Sequence, residues 1–412
     1  AAMLRSIFYP ERIEFRRQSP DHRYEPVTGG CPAGKVSTWR CRPVMKSRPA
    51  RIFGNRRSPT RRLALAVAMV AVATCVGFGL AEGLTRLFLP AFDPSGRFEF
   101  DYPRGSLMLG RPGTTSRQVK NTGDYDVAVA INRHGLRDTK DIAEATRDDL
   151  IVVGDSFTWG WGVEVGERFS DRVQTATERR AFNLATPTNL DGYEALLAYA
   201  ETLGAKIGQV VLSVCIENDI RFYGPQPGKP ASSARPASVP DEDDRWSDAL
   251  DRLDDGIDDV RQWLTEWSAA YVLLTTVVHQ TPWLKAAAVQ MGLIDPNLRW
   301  ISEAPYPPEM VESSAAKLQI LSERYRLLVV LIPSRALWAG KHREAEDRIH
   351  ASLVASLRKR GVKVVDLRPS FEAGGAPLEL HFANDGHWNA RGHKMAAEAI
   401  ADCLKAAAEA CR

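Results

Sequence analysis

The chain has only six cysteines in 412 residues, and no two of them stand at zinc-ligand spacing. Cys75 lies in an apolar run and Cys215 in an expected buried strand. Cys403 and Cys411 fall on one expected helix, too far apart along it to bridge unless the helix bends. Cysteine usage therefore neither requires nor excludes an oxidising compartment. No segment repeats, and nothing in the composition suggests collagen, a coiled coil or wholesale disorder. No motif calls for a metal or an organic cofactor. Past the N-terminus no basic patch suggests nucleic acid.

What is present is unevenly spread. The formal net charge is +3, but residues 1–62 hold 15 Lys/Arg and 4 Asp/Glu, a net of +11, so the remainder carries 3 − 11 = −8. The basic segment ends at an uninterrupted apolar run of 18 residues, Leu63–Leu80, which is long enough for a transmembrane helix, the more so if Ala81–Leu89 extends it. Lys46, Arg48, Arg51, Arg56, Arg57, Arg61 and Arg62 precede it, which by the positive-inside rule keeps the N-terminus in the cytoplasm and exports the rest. An uncleaved anchor is favoured over a cleaved signal peptide, because no clear A-x-A site follows the run. Residues 1–62, rich in Arg, Pro and Gly and without periodicity, read as disordered, with the translation start expected near Met45.

Residues 90–145 read as an irregular or β-rich lead-in containing one strand at Val127–Ile131 and a turn at Asn132–Gly135. A β/α alternation follows over 146–412. Leu150–Val153, Ala181–Ala185, Val210–Ile216, Leu327–Ile332 and Val362–Leu367 are apolar, β-branched runs, with helical patterns at 167–180, 191–204, 342–360 and 391–411. Continuous buried strands between helices predict an α/β fold, a flavodoxin-like three-layer sandwich with a mainly parallel sheet behind one transmembrane helix. An insertion at about 223–310 interrupts it. Tyr223–Pro240 reads as a loop, and Trp246, Leu250, Leu253, Ile257, Val260, Leu264 and Trp267 form one stripe of an acidic amphipathic helix. That helix suits a lid or partner-binding role; plain packing on the main domain is the favoured expectation.

Four pieces carry chemistry. Gly154-Asp155-Ser156 follows the first core strand, at the carboxyl edge where open α/β sheets bind ligands. Asp385 and His387 share one loop before the last helix, for which Asn389 is a candidate N-cap, and they offer a serine nucleophile its base and that base its carboxylate. Asn218, after the third core strand, has a side-chain amide able to donate to an oxyanion. Thr188 follows the second core strand. In a parallel sheet all four converge on one edge. His393 is expected in the first turns of the last helix and is given no role. Trp159, Trp161 and Trp388 flank the nucleophile and base; core packing is favoured for them over stacking on a sugar ring.

The ordered pieces resemble the SGNH (GDSL-like) hydrolases over about residues 130–405. The resemblance implies Ser156 as nucleophile, Asp385 and His387 as the rest of a triad, and Ser156, Thr188 and Asn218 around the oxyanion. Three positions depart from the pattern. Thr188 replaces the second-block glycine, Ile216 stands at the third-block glycine, and Asp385-x-His387 replaces the commoner Asp-x-x-His, whose aspartate position holds Asn384. The Asp-x-His spacing, the single anchor, and the Asn132-to-Asp138 segment ahead of Gly-Asp-Ser-Phe-Thr resemble the subgroup related to the alginate O-acetylation proteins. That likeness implies an acylated, exported glycan as substrate and a bacterial-type inner-membrane location with the catalytic domain outside. Three functions are carried forward: an O-acyl (O-acetyl) esterase, an O-acetyltransferase fed by a membrane-bound acyl-donor partner, and a silent envelope scaffold.

Overall fold

The structure, a computed structural model, describes residues 59–94, 100–104, 107–223, 260, 261, 263–294 and 306–406. The segment 1–58, the loop over 224–240 and the stripe from Trp246 to Ile257 lie outside the described residues. Contacts divide the chain between Ala64 and Leu65, inside the N-terminal helix, and apart from the first turns of that helix everything below concerns the second part.

Helix α1 covers Pro59–Phe88, and its stretch Leu63–Phe88 is long and apolar enough to cross a membrane. Two antiparallel hairpins follow, β1 (Phe100–Arg104) with β2 (Leu107–Gly110), then β3 (Thr115–Val119) with β4 (Asp126–Ala130). The main sheet has five parallel strands: β5 (Leu150–Val153), β6 (Ala181–Asn183), β7 (Gln209–Cys215), β8 (Arg326–Ile332) and β9 (Lys363–Asp366). Their spatial order is β6-β5-β7-β8-β9, the doubly wound 2-1-3-4-5 order of a flavodoxin-like sheet. Register runs Leu150 to Ala181 on one side and Leu150 to Gln209 on the other, with Gln209 facing Arg326. The expected α/β sandwich is thus the fold found.

Strand alternation sorts the core. Ile151, Val153, Val210, Leu212 and Val329 point to one face, where they meet α4 (Leu190–Thr202) and two later helices. Leu150, Val152, Val211 and Val330 point to the other and meet α3 (Phe169–Thr177) and the C-terminal helix. Each such side chain, fully buried, contributes roughly 1.5–3 kcal/mol of transfer free energy. The short helix α2 (Ser156–Trp159) opens directly after β5, and α5 (Ile216–Asp219) directly after β7. The strand order reverses between β5 and β7, while both strands keep the same direction, so the two turns line the crevice that a doubly wound sheet leaves at its carboxyl edge.

Inside the insertion, α6 (Ala269–Gln280) and α7 (Pro282–Gln290) form a helical pair, and α8 (Pro308–Arg324) leads into β8. Of the expected acidic stripe, Val260 and Trp267 are exposed and Leu264 is half-buried, so Val260 and Trp267 do not take part in the core. Then come α9 (Arg343–Lys359), α10 (Arg368–Ala373) and α11 (Ala390–Lys405), the last capped by the Asn389 side chain as expected. Cys403 on α11 is disulfide-bonded, while Cys75 and Cys215 are free.

The lead-in hairpins are built into the sheet domain. Leu107 and Leu109 of β2 belong to the α4-side core. Arg137, 1% exposed, donates to the carbonyls of Gly160 (2.6 Å) and Val163 (2.7 Å) and lies over the Trp159 ring. Asp138 accepts from the Asn183 N–H at 2.6 Å. The Asn132-to-Asp138 segment therefore braces the turn after β5 and the end of β6.

Candidate active site

Ser156 is the first residue of α2, a helix made by two local devices. The Asp155 carboxylate caps it by accepting from the Phe157 N–H at 3.0 Å. Gly160 ends it with φ 88°, and a Cβ there would fall 2.4 Å from Arg168 Cγ, so only glycine fits. The N–H of a first helical residue has no intrahelical acceptor, and the Ser156 N–H is thus available to an anion.

Ser156 Oγ lies 2.8 Å from His387 Nε2, and His387 Nδ1 lies 2.5 Å from Asp385 Oδ1, which also accepts from the His387 N–H at 3.0 Å. The second Asp385 oxygen accepts from Lys120 Nζ at 3.0 Å and from the Tyr125 hydroxyl at 3.1 Å. Burial pushes the Asp385 carboxyl up. The hydrogen bond and charge of His387, with the charge of Lys120, outweigh it and hold Asp385 well below the usual carboxylate range. Asp385 thus stays an anion at neutral pH.

The loop carrying this pair is held from several sides. Asn384 receives Lys285 Nζ on its side-chain oxygen at 2.9 Å and gives its N–H and amide to Asp124 at 3.1 and 2.9 Å. The Arg335 guanidinium is packed against Gly386 so closely that a Cβ there would meet Arg335 Nη1 at 2.3 Å. Arg335 is itself fixed by Glu217, which accepts from its N–H at 2.6 Å and its Nη2 at 2.8 Å. Trp161 stacks on the His387 ring (centroids 5.3 Å, 23°) and donates its Nε1–H to the Tyr125 hydroxyl at 2.8 Å.

On the opposite side of Ser156, the Asn218 amide donates to Asp155 Oδ2 at 3.4 Å, and its nitrogen keeps a second hydrogen for another acceptor. Burial pushes the Asp155 carboxyl up, against the opposing effect of the His387 charge and the Asn218 bond. Thr188 stands beside Ser156 and Asn218 in the same cleft, but its N–H is committed to the Thr186 carbonyl at 2.7 Å. Ile216 is fully buried in the α4-side core, so that departure adds a core contact and takes no space from the cleft.

Ser156 sits where two clefts meet. One, about 640 Å³, is lined by Lys120, Tyr125, Phe157, Trp161, Glu217, Asn218, Arg335 and Asn384 to His387. The other, about 430 Å³, is lined by Met108, Asp155, Pro187, Thr188, Asn189, Asp191, Asn218 and Arg221. Trp159 and Trp388 are buried in the core, which leaves Trp161 as the member of the expected trio that faces a cleft.

The structure therefore brings Ser156, Asp385 and His387 into one chain of contacts and places Asn218 and Thr188 beside the serine. Lys120, Tyr125 and Arg335 were not legible in the sequence. Lys120 and Tyr125 stand on the β3–β4 turn, 265 and 260 positions from Asp385, and no motif spans that separation.

His393 is structural, as expected. Its Nδ1 accepts from the Phe169 N–H at 3.3 Å, and burial together with the charge of Arg168 brings its pKa down to about 3. Burial and the charge of Arg335 bring His381 down to about 3 as well. Both rings are neutral when folded and take up protons only on unfolding. Their contribution is whole above the unfolded histidine pKa, near 6.5, and is lost as pH falls from there toward about 3. We expect a loss of about 2 kcal/mol for each ring between pH 7 and pH 5. Urea midpoints of the detergent-solubilised chain should fall over that range, less so in His393→Gln; a flat profile would contradict the burial of both rings. The share held by Asp385, whose pKa is depressed, is lost only lower, below the ordinary aspartate value near 3.9.

Residues 313–411 match a family model described as "SGNH hydrolase-like domain, acetyltransferase AlgX". This agrees with the SGNH resemblance carried by the motifs. No curated protein sequence matches the chain. Among solved structures, a member of the lipolytic G-D-S-L family from Veillonella parvula DSM 2008 is 12% identical, covering 62% of this chain and 96% of its own, with a TM-score of 0.35. The α/β hydrolase LAE5 from the metagenome of Lake Arreo is 14% identical over 65% of this chain and 100% of its own, with a TM-score of 0.34. A mutant of Axe2, an acetyl-xylooligosaccharide esterase from Geobacillus Stearmophilus, is 10% identical over 64% and 96%, with a TM-score of 0.33.

Proposed function

We propose that the chain is a serine esterase of the SGNH type that removes O-acyl groups, chiefly O-acetyl, from an envelope or exported polysaccharide. The observation that carries this reading is the continuous Ser156–His387–Asp385 contact. His387 Nε2 takes the Ser156 proton as Oγ attacks the acyl carbonyl, and Asp385 steadies the imidazolium. The Ser156 N–H and the Asn218 amide stabilise the oxyanion; the Thr188 N–H joins them once it leaves the Thr186 carbonyl. The alcohol then departs with the proton held by His387, so the sugar belongs in the cleft on the His387 side, where Trp161 offers an aromatic face. Water completes the cycle by attacking the acyl-enzyme, with His387 again as base.

The second reading is an O-acetyltransferase with the same residues, in which a sugar hydroxyl takes the place of water. The acetyltransferase description of the family matched at 313–411 favours it, with acetyl groups delivered by a membrane-bound partner. The joined triad speaks against a silent scaffold. A single-pass anchor at α1, with the catalytic domain outside the cytoplasm, suits both enzyme readings, and the disulfide at Cys403 fits an oxidising compartment.

A fluorophosphonate probe should label the wild-type chain at Ser156; a folded chain that resists labelling would remove both enzyme readings. Incubation with an acetyl-ester donor, with and without glycan, then separates them. Free acetate as the main product supports the esterase, and acetylated glycan supports the transferase. Asn218→Ala is expected to lower kcat about 10²–10³-fold with little change in KM, which steady-state kinetics on an aryl acetate would read.

A further inference from the structure

The helical pair α6–α7 carries an apolar surface that the proposed reaction does not use. From Trp267 to Ile294 the sequence has no acidic residue over 28 positions, although 51 acidic residues spread evenly along 412 would place three or four there. Helix α6 is mainly apolar and carries no formal charge, yet only Ala269 and Val272 are buried. Leu274, Val277, Trp283, Met291 and Leu293 are exposed, Trp283 at 70%. An open groove of about 410 Å³ runs between the two helices, lined mainly by apolar side chains such as Tyr271, Leu284 and Met291.

What covers this face follows from where α6 begins. The Glu82 carboxylate of α1 accepts from Ser268 Oγ (2.8 Å), the Ala269 N–H (3.1 Å) and the Ala270 N–H (3.0 Å). Those are the unpaired donors of a helix N-terminus, where an anion is held best. Arg86 donates to the Trp267 carbonyl at 2.7 Å while paired with Glu82 and Asp93. The start of α6 is therefore fastened to the last two turns of α1. The apolar run Leu63–Leu80, at 1.5 Å per residue, covers about 27 Å, close to the hydrocarbon thickness of a bilayer. Glu82 and Arg86 then stand where the chain leaves the lipid, and Trp267 stands at the depth where tryptophan collects. Helices α6 and α7, of 12 and 9 residues, are too short to span, and with its start held at this depth the pair suits a position along the surface.

We propose that the exposed face of α6–α7 seats on the bilayer leaflet from which α1 emerges, with Leu274, Val277, Trp283, Met291 and Leu293 among the lipid headgroups and upper acyl chains. This rests on α1 being a membrane anchor. It gives the anchor a second contact and fixes how the domain stands on the membrane. Lys285 of α7 holds Asn384, and Asn121 of the β3–β4 turn donates to Thr275 of α6 at 3.0 Å. The seated pair thus ties the loop of Asp385 and His387 to the membrane surface, about one 18 Å helix length from the anchor.

The full chain in phosphatidylcholine–phosphatidylglycerol vesicles, doped with a phospholipid bearing a diazirine in its acyl chain, provides the test. After photolysis, lipid adducts mapped by mass spectrometry are expected on peptides from 63–88 and from 267–294, and not on peptides from 343–366. Leu274→Glu combined with Trp283→Glu should cut adducts in 267–294 at least fivefold and leave those in α1 unchanged. Adducts in α1 with none in 267–294 of the wild type would overturn the seating and leave the anchor standing; a face that docks a membrane protein instead gives this result in lipid-only vesicles. Absence of adducts from α1 itself would overturn the anchor reading, and the seating with it.

Discussion

Ser156→Ala is expected to lower acyl-ester turnover by on the order of 10⁴–10⁶-fold, and His387→Ala to lower it by a similar factor. The two residues act as one unit: Oγ is a weak nucleophile without the imidazole 2.8 Å away, and the imidazole has no task in the first step without Oγ. The double variant should therefore sit on the same floor as each single variant, not at the product of the two losses. That floor is set by the Ser156 N–H and the Asn218 amide, which survive both changes. Acetate release from an aryl acetate, followed for the three variants with a circular-dichroism check of folding, reads the effect. Losses that multiply would mean that Ser156 and His387 work independently, and the proposed mechanism would fall.

The second large effect is expected at Asp385→Asn, about 10³–10⁴-fold in kcat. The reason lies in how this carboxylate is surrounded. One oxygen accepts from His387 Nδ1 and the His387 N–H, and the other from Lys120 and Tyr125. An asparagine has one acceptor and one donor group to offer. With its oxygen toward Lys120, its NH₂ faces His387 and favours the tautomer whose Nε2 already carries hydrogen, which cannot take the serine proton. With its oxygen toward His387, its NH₂ faces the Lys120 ammonium. Lys120→Met removes that conflict, so Asp385→Asn should cost several-fold less in the Lys120→Met background than alone. A double-mutant cycle on kcat measures this coupling, and strict additivity would show that Lys120 plays no part in orienting the base.

Much of the candidate site was legible because its signals are local. Val153 to Ser156 holds a strand end, a cap and a helix start in four consecutive residues, and Asp385-Gly386-His387 places the proposed base and its carboxylate within one turn. The parallel sheet was legible for a similar reason: strands buried on both faces show as continuous β-branched runs, and their boundaries held to within a residue or two at β5, β7, β8 and β9. The lead-in and the insertion were less legible. The sequence marked one strand over 90–145, where two hairpins stand, and it offered no sign that Lys120 and Tyr125 reach Asp385.

The sequence alone determined the type of sheet, the residues proposed as nucleophile, base and carboxylate, and the presence of one apolar run able to cross a membrane, because each is written in adjacent residues or in a short period. Only the tertiary structure decided how that chemistry is held. It decided that Thr188 spends its N–H on Thr186, that Ile216 goes into the core, that Trp161 faces the cleft while Trp159 and Trp388 do not, and that the β3–β4 turn clamps Asp385 from 260 residues away. Those outcomes depend on which surfaces meet after the chain has closed on itself. Burial and long-range hydrogen bonding have no period along a sequence, and they come into being only when distant segments are packed together.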